Sequence, residues 1–266
     1  MSTRQPTLFI PHGGGPCFFM EPPAFAPQLW DRMEAYLRGL AAELPERPKA
    51  VLVVSGHWET ERPTVNVGPH PGMLFDYYGF PEHTYRLSYP APGAPELADR
   101  VRALLDAAGV ATDADAERGF DHGVFIPLML VFPEADVPVL QLSLQARLDP
   151  AEHIAIGRAL APLRDEGVLI VGSGMSYHNL RDFFSSRGGA EAEAFDGWLA
   201  QALADPAARE AALADWSLAP GARASHPREE HLLPLMVAAG AAAGEPATRN
   251  YSEQLLGKAL SGFRFG

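Results

Sequence analysis

Cysteine is almost missing: Cys17 is the single one in 266 residues, so no internal disulfide framework can brace the chain. Long apolar runs are missing as well. The N-terminus MSTRQPTLFIPHGGGP lacks the stretch of a signal peptide, and nothing is long enough to span a bilayer, so the expected location is cytoplasmic, with no membrane partner. Positive charge is scarce, with 21 Lys and Arg against 33 Asp and Glu and a formal net charge of −12 at pH 7. Phosphate backbones are bound by clustered Lys and Arg, which argues against a nucleic-acid partner and leaves small molecules or proteins. Compact metal signatures such as HExxH or paired CxxC are absent. The triple glycine at 13–15 lacks the GxxxxGK[ST] pattern of a phosphate loop.

What remains is the balance of a globular protein, 47% apolar and 20% charged, with a length that suits one domain over residues 1–266. Short runs rich in Val, Ile or Leu at Thr7–Pro11, Ala50–Ser55, Val137–Leu142 and Gly167–Gly172 read as buried strands. Helical spacing occurs at Pro23–Leu40, Pro95–Ala108, Gly123–Val131, Ala151–Arg164, Ala190–Ala204 and His231–Ala243. Strands alternating with helices predict an α/β fold: a mostly parallel central sheet with helices on both faces. The segment Pro63–Pro95, dense in Pro, Gly and aromatic residues, breaks that rhythm and reads as an ordered excursion carrying a short hairpin.

The nine histidines are unevenly placed. His12, His57 and His178 each follow a predicted strand, where an open α/β sheet presents its binding crevice; His122 and His231 open predicted helices. A lone histidine in such a place is more often satisfied by a neighbouring carbonyl. Five together point to one divalent transition metal, since neutral imidazoles suit Zn, Fe, Cu or Ni, whereas Mg and Ca call for oxygen. His70 and His153 read as exposed loop and helix positions. His83 and His226 can line a pocket, and His226 and Tyr85 are the candidates for substrate contact. Phe75, Tyr77, Tyr78, Phe80 and Tyr85 can wall a planar ring, although ordinary core packing explains them equally. Cys17, beside Phe18 and Phe19, reads as a small buried hydrophobe.

The blocks HGGGP at 12–16, SGHWE at 55–59, YPAPGAPELA at 89–98, GFDHG at 119–123 and SHPREEHLLPL at 225–235 resemble the DODA-type extradiol aromatic ring-opening dioxygenases of the LigB-like superfamily, the class III extradiol enzymes. The resemblance runs over nearly the whole chain and implies a single catalytic domain of that type. It implies that His12, His57 and His231 bind the metal. His178, in the HNL motif, is implied as a fourth ligand or an acid/base, and His122, in the DHG motif, as a proton donor or substrate-orienting group. The implied reactants are a small aromatic diol and dioxygen, with Fe(II) expected and Zn(II) possible as the bound ion. The common non-haem iron site contains a carboxylate, so Glu230 rivals His231 as a ligand. The alternatives are a zinc-dependent hydrolase acting through metal-bound water and a non-catalytic binding protein on the same fold.

Overall fold

The computed structural model describes residues 3–266. Its strands are β1 Thr7–Pro11, β2 Ala50–Thr60, β3 Thr64–Asn66, β4 Asp113–Asp115, β5 Val139–Gln145, β6 Val168–Gly174, β7 Ala247–Leu255 and β8 Lys258–Phe265. They form one mixed sheet of order β4-β3-β5-β2-β6-β1-β8-β7. The central run β5-β2-β6-β1 is parallel throughout. Antiparallel pairing is confined to β3 on β5, β8 on β1, and the hairpin β7–β8. The helices are α1 Asp31–Gly39, α2 Pro95–Ala107, α3 His122–Val131, α4 Pro150–Leu160, α5 Leu180–Phe183, α6 Gly189–Ala204, α7 Arg209–Ala214, α8 Ala222–Ser225 and α9 Leu233–Ala241.

The two-residue period of the strands divides the core in two. Phe9, Leu52, Val54 and Ile170 point to the face covered by α2, α4, α6 and α9. Leu8, Ile10, Val51, Val53, Leu169 and Val171 point to the face covered by α1 and α3. A central strand buried on both sides needs apolar residues at every position, which is why VLVV and VLIV read as unbroken runs. The α4 end shows local chemistry agreeing with packing: Asp149 accepts from the backbone N–H groups of Ala151 and Glu152 at 2.8 and 3.0 Å, and Pro150 takes the first helical position.

Several expectations change. β2 runs on to Thr60, past an irregularity between Val54 and Glu59, so His57 lies within the strand's extension. The segment before Asp31 is turns, because Pro22, Pro23 and Pro27 withhold backbone donors, and α1 is correspondingly short. No hairpin forms among the described residues of 63–95; β3 instead pairs with β4 and β5, and isolated bridges tie Met73 to Phe120 and Gly93 to Val139. His153 is not exposed. It is buried, donating from Nδ1 to the Asp149 carbonyl at 2.7 Å and accepting the Gln145 N–H at Nε2 at 3.1 Å. No helix among the described residues is long and apolar enough to cross a membrane.

Candidate active site

β1, β6 and β2 are neighbours, and their C-terminal ends bring His12, His178 and His57 to one rim of the sheet. His122 arrives on the first turn of α3, and His231 just before α9. Close backbone packing fixes these approaches. His12 N–H donates to the Gly174 carbonyl at 3.3 Å, and Met175 N–H donates to the His231 carbonyl at 3.0 Å. A Cβ on Gly174 would stand 2.1 Å from that His231 carbonyl oxygen, and one on Gly123 would stand 2.4 Å from Ser55 Oγ and 3.0 Å from His57 Cδ2. Only glycine lets the two histidine-bearing segments come this near.

The ring nitrogens then converge. His57 Nε2 is 3.1 Å from His12 Nε2 and 3.1 Å from His231 Nε2. The opposite nitrogens all meet oxygen. His231 Nδ1 faces Glu230 Oε1 at 3.0 Å, and His57 Nδ1 faces Asp76 Oδ2 at 3.5 Å. His12 Nδ1 lies 3.2 Å from Ser173 Oγ, whose own hydroxyl donates to the Gly123 carbonyl and so can only accept from the ring. With the proton at each Nδ1, the three Nε2 atoms carry lone pairs directed at one another. Such a contact is repulsive unless a cation lies between. Nitrogens about 2.0–2.1 Å from a shared ion, at tetrahedral or octahedral angles, stand about 2.9–3.4 Å apart, so the donor set fits a metal. A group of His12, His57 and His122, with ring nitrogens within 4.8 Å of one another, can also hold an ion.

Electrostatics agree. Burial, then the neighbouring imidazoles, drives His12 and His231 well below the ordinary histidine value, and burial and His122 lower His57 to about 3 against the opposing pull of Asp76. These rings stay neutral, as ligands must.

His122 and His178 stand beside the convergence. The His122 ring lies 3.9 Å from that of His57, and its Nδ1 is 2.8 Å from Asp76 Oδ1. The His178 ring stacks on His231 at 3.3 Å between centroids, with Nδ1 3.3 Å from Glu230 Oε1. Each carboxylate thus serves one converging ring and one flanking ring. Burial is the largest single influence and pushes both carboxyls up, but the hydrogen bonds and charge interactions together, chiefly from His122 and His57 for Asp76 and from His178 and Arg228 for Glu230, hold both below their usual values. Glu230, the rival ligand, meets His231 at Nδ1, and with His178 and His231 it forms a second group whose ligand atoms lie within 4.8 Å of one another and can hold an ion. Beneath His57, buried Asp121 accepts from Ser55 Oγ at 2.7 Å, from Arg118 at 3.2 Å and from Gln141. Arg118 also donates to the His57 carbonyl at 3.2 Å.

Not every candidate arrives here. His226 is fully buried, with Nε2 2.9 Å from the Ser176 carbonyl and its ring edge-on to Phe195 and Trp216, so it cannot line an open pocket. Tyr85 lies one ring out, packed on Tyr77 at 5.3 Å, and it is Tyr77 that meets His122 at 5.8 Å. His83 ties the excursion to the Phe19 carbonyl, and His70 is exposed, in line with its sequence position. Cys17 is buried, its sulfur accepting the Gly14 N–H at 3.3 Å and its thiol pushed up by burial; the glycines at 13 and 15 serve the turn through positive φ. Sequence reasoning missed Asp76 and Ser173. The acid standing among aromatics in LFDYY was the available signal for Asp76; Ser173 had none.

Residues 6–264 match the family described as the catalytic LigB subunit of aromatic ring-opening dioxygenase. The chain belongs to the LigB family. It is 46% identical over 200 residues to the 4,5-DOPA dioxygenase extradiol of Beta vulgaris, covering 74% of each chain. It is 38% identical over 287 residues to dioxygenase tasH of Hapsidospora irregularis, covering all of this chain and 87% of that one. A crystal structure of an uncharacterized Escherichia coli K12 protein, 32% identical, superposes with a TM-score of 0.79 over 99% of this chain and 100% of that chain. This LigB member is an extradiol ring-cleaving dioxygenase, an enzyme whose family implies an aromatic substrate, dioxygen and a metal.

Proposed function

We propose that the chain, acting as one catalytic domain, opens a catechol-type ring beside its diol, using Fe(II) held by the Nε2 atoms of His12, His57 and His231. The observation that carries this reading is the pair of 3.1 Å Nε2 contacts among rings whose Nδ1 atoms each face an oxygen. When bound, the ion supplies the place where diol and dioxygen meet and exchange electrons. The protein's residues do the rest. His178, with Nδ1 turned to Glu230, offers Nε2 to a substrate hydroxyl proton, imidazole being suited to proton exchange near neutral pH. His122 returns a proton from the side of His57, its Nδ1 held by the Asp76 carboxylate. Tyr77, edge-on to His122, gives a flat ring an aromatic neighbour.

Because several relatives are named for 4,5-DOPA, that amino acid heads the catechol panel that tests this reading. Protein loaded anaerobically with Fe(II) is expected to consume dioxygen and form a yellow semialdehyde-type product. Three neutral ligands also suit Zn(II), whose bound water reaches a pKa of roughly 7. Oxygen-independent hydrolysis restored by Zn(II), with no ring opening by the Fe(II) protein, would replace the dioxygenase reading by that one.

A further inference from the structure

Asp76 lies 46 positions before His122, yet the excursion that carries it is stitched to the entry of α3. Phe120 N–H donates to the Gly72 carbonyl and Leu74 N–H donates to the Phe120 carbonyl, both at 2.8 Å. Asp121, at the ordinary capping position of α3, makes no cap hydrogen bond, because its side chain turns inward to Ser55, Arg118 and Gln141. Asp76 takes its place: Oδ1 accepts the first helical N–H, that of His122, at 3.0 Å. The same oxygen meets His122 Nδ1 at 2.8 Å, while Oδ2 faces His57 Nδ1 at 3.5 Å.

We propose that Asp76 is a positioning residue for the metal centre, fixing the tautomer of His57 and the ring orientation of His122 through one carboxylate. The inference rests on the proposed function, in which His57 holds the ion through Nε2. A carboxylate accepts at both oxygens, so it keeps the His57 proton on Nδ1 and leaves Nε2 free to ligate. The rival role is a helix cap alone. Asn serves as an N-cap about as well as Asp, but its amide nitrogen would donate towards His57 Nδ1 and drive the ring proton to Nε2. Asp76→Asn therefore separates the roles.

The experiment titrates wild type and D76N with Co(II), following the visible absorption, and records the melting temperature of each metal-free protein. The expected result is D76N melting close to wild type with Co(II) affinity about 10–100-fold weaker, the range for losing a carboxylate that orients a metal-binding histidine. Equal affinity in the two proteins would overturn the inference and leave the metal site standing. A wild-type chain that binds no Co(II) would overturn the metal reading and the inference with it. If D76N fails to fold, histidine ring ¹⁵N spectra of metal-free wild type decide: a proton on His57 Nδ1 is expected, and one on Nε2 contradicts the role.

Discussion

At His57 the two ring nitrogens face different surroundings, Nδ1 towards a carboxylate and Nε2 towards two other imidazoles. Replacing His12, His57 or His231 by Ala is expected to abolish tight metal binding, read by metal content after loading and desalting. His122→Ala is expected to keep the ion and lower turnover by about 10²–10⁴-fold, the usual worth of a positioned acid or base. Protonation gives a second expectation. Burial and mutual repulsion hold the folded values of His12, His57 and His231 below those of the unfolded chain, so below about 6.5 the unfolded state binds more protons. Stability of the metal-free protein should therefore fall with pH from about 6.5 towards 3; a urea midpoint unchanged between pH 7.5 and 5 would contradict this. The five central histidines were legible because strand ends and helix entries announce themselves in the sequence. Their partners were not: Asp76 and Ser173 reach the rings through tertiary folding, and no local pattern links Ser173 to His12, 161 positions away.

Among the elements, β6 shows how the rim is built. Pro234 and His231 lie directly against Gly172 and Gly174, where a Cβ would come within 2.2 and 2.1 Å of their carbonyl oxygens. Gly174→Ala must push the His231 segment outward. It is expected to cost about 1–3 kcal/mol, as overpacking does, and to weaken metal binding as well. Urea denaturation and Co(II) titration check the two effects, and a variant unchanged in both would show that the contact does not set His231. The central strands were readable as unbroken apolar runs. The continuation of β2 was hidden, since SGHWET resembles a loop and its pairing is irregular. The hairpin β7–β8 was hidden for a different reason: its turn uses Leu256 and Gly257, both at positive φ, instead of the Asn-Gly pair that marks such turns, and β7 buries only Tyr251 and Leu255 and has no long apolar run.

On the scale of the whole molecule, the proposed ligands arrive from three distant parts of the chain, so an ion bound to all of them holds the folded rim together. Binding only to the folded state adds about 2.7 kcal/mol at a hundredfold excess over Kd. For a domain of about 150–250 residues, each kcal/mol moves Tm by about 2–4 °C, so saturation is expected to raise Tm by roughly 5–10 °C and to do nothing for His57→Ala. Calorimetry with and without Fe(II) under anaerobic conditions checks this. Fold class was legible at this scale from the alternation of elements alone, while the division of labour between converging and flanking imidazoles was implied by the family resemblance and by no local pattern. The most direct test is X-ray absorption on the anaerobically Fe(II)-loaded protein. One iron per chain, with imidazole scattering from three histidine rings at about 2.1 Å that is lost in His57→Ala, is the expected result. Iron bound without histidine scattering, or bound equally well by the variant, would contradict the convergence on which the account stands.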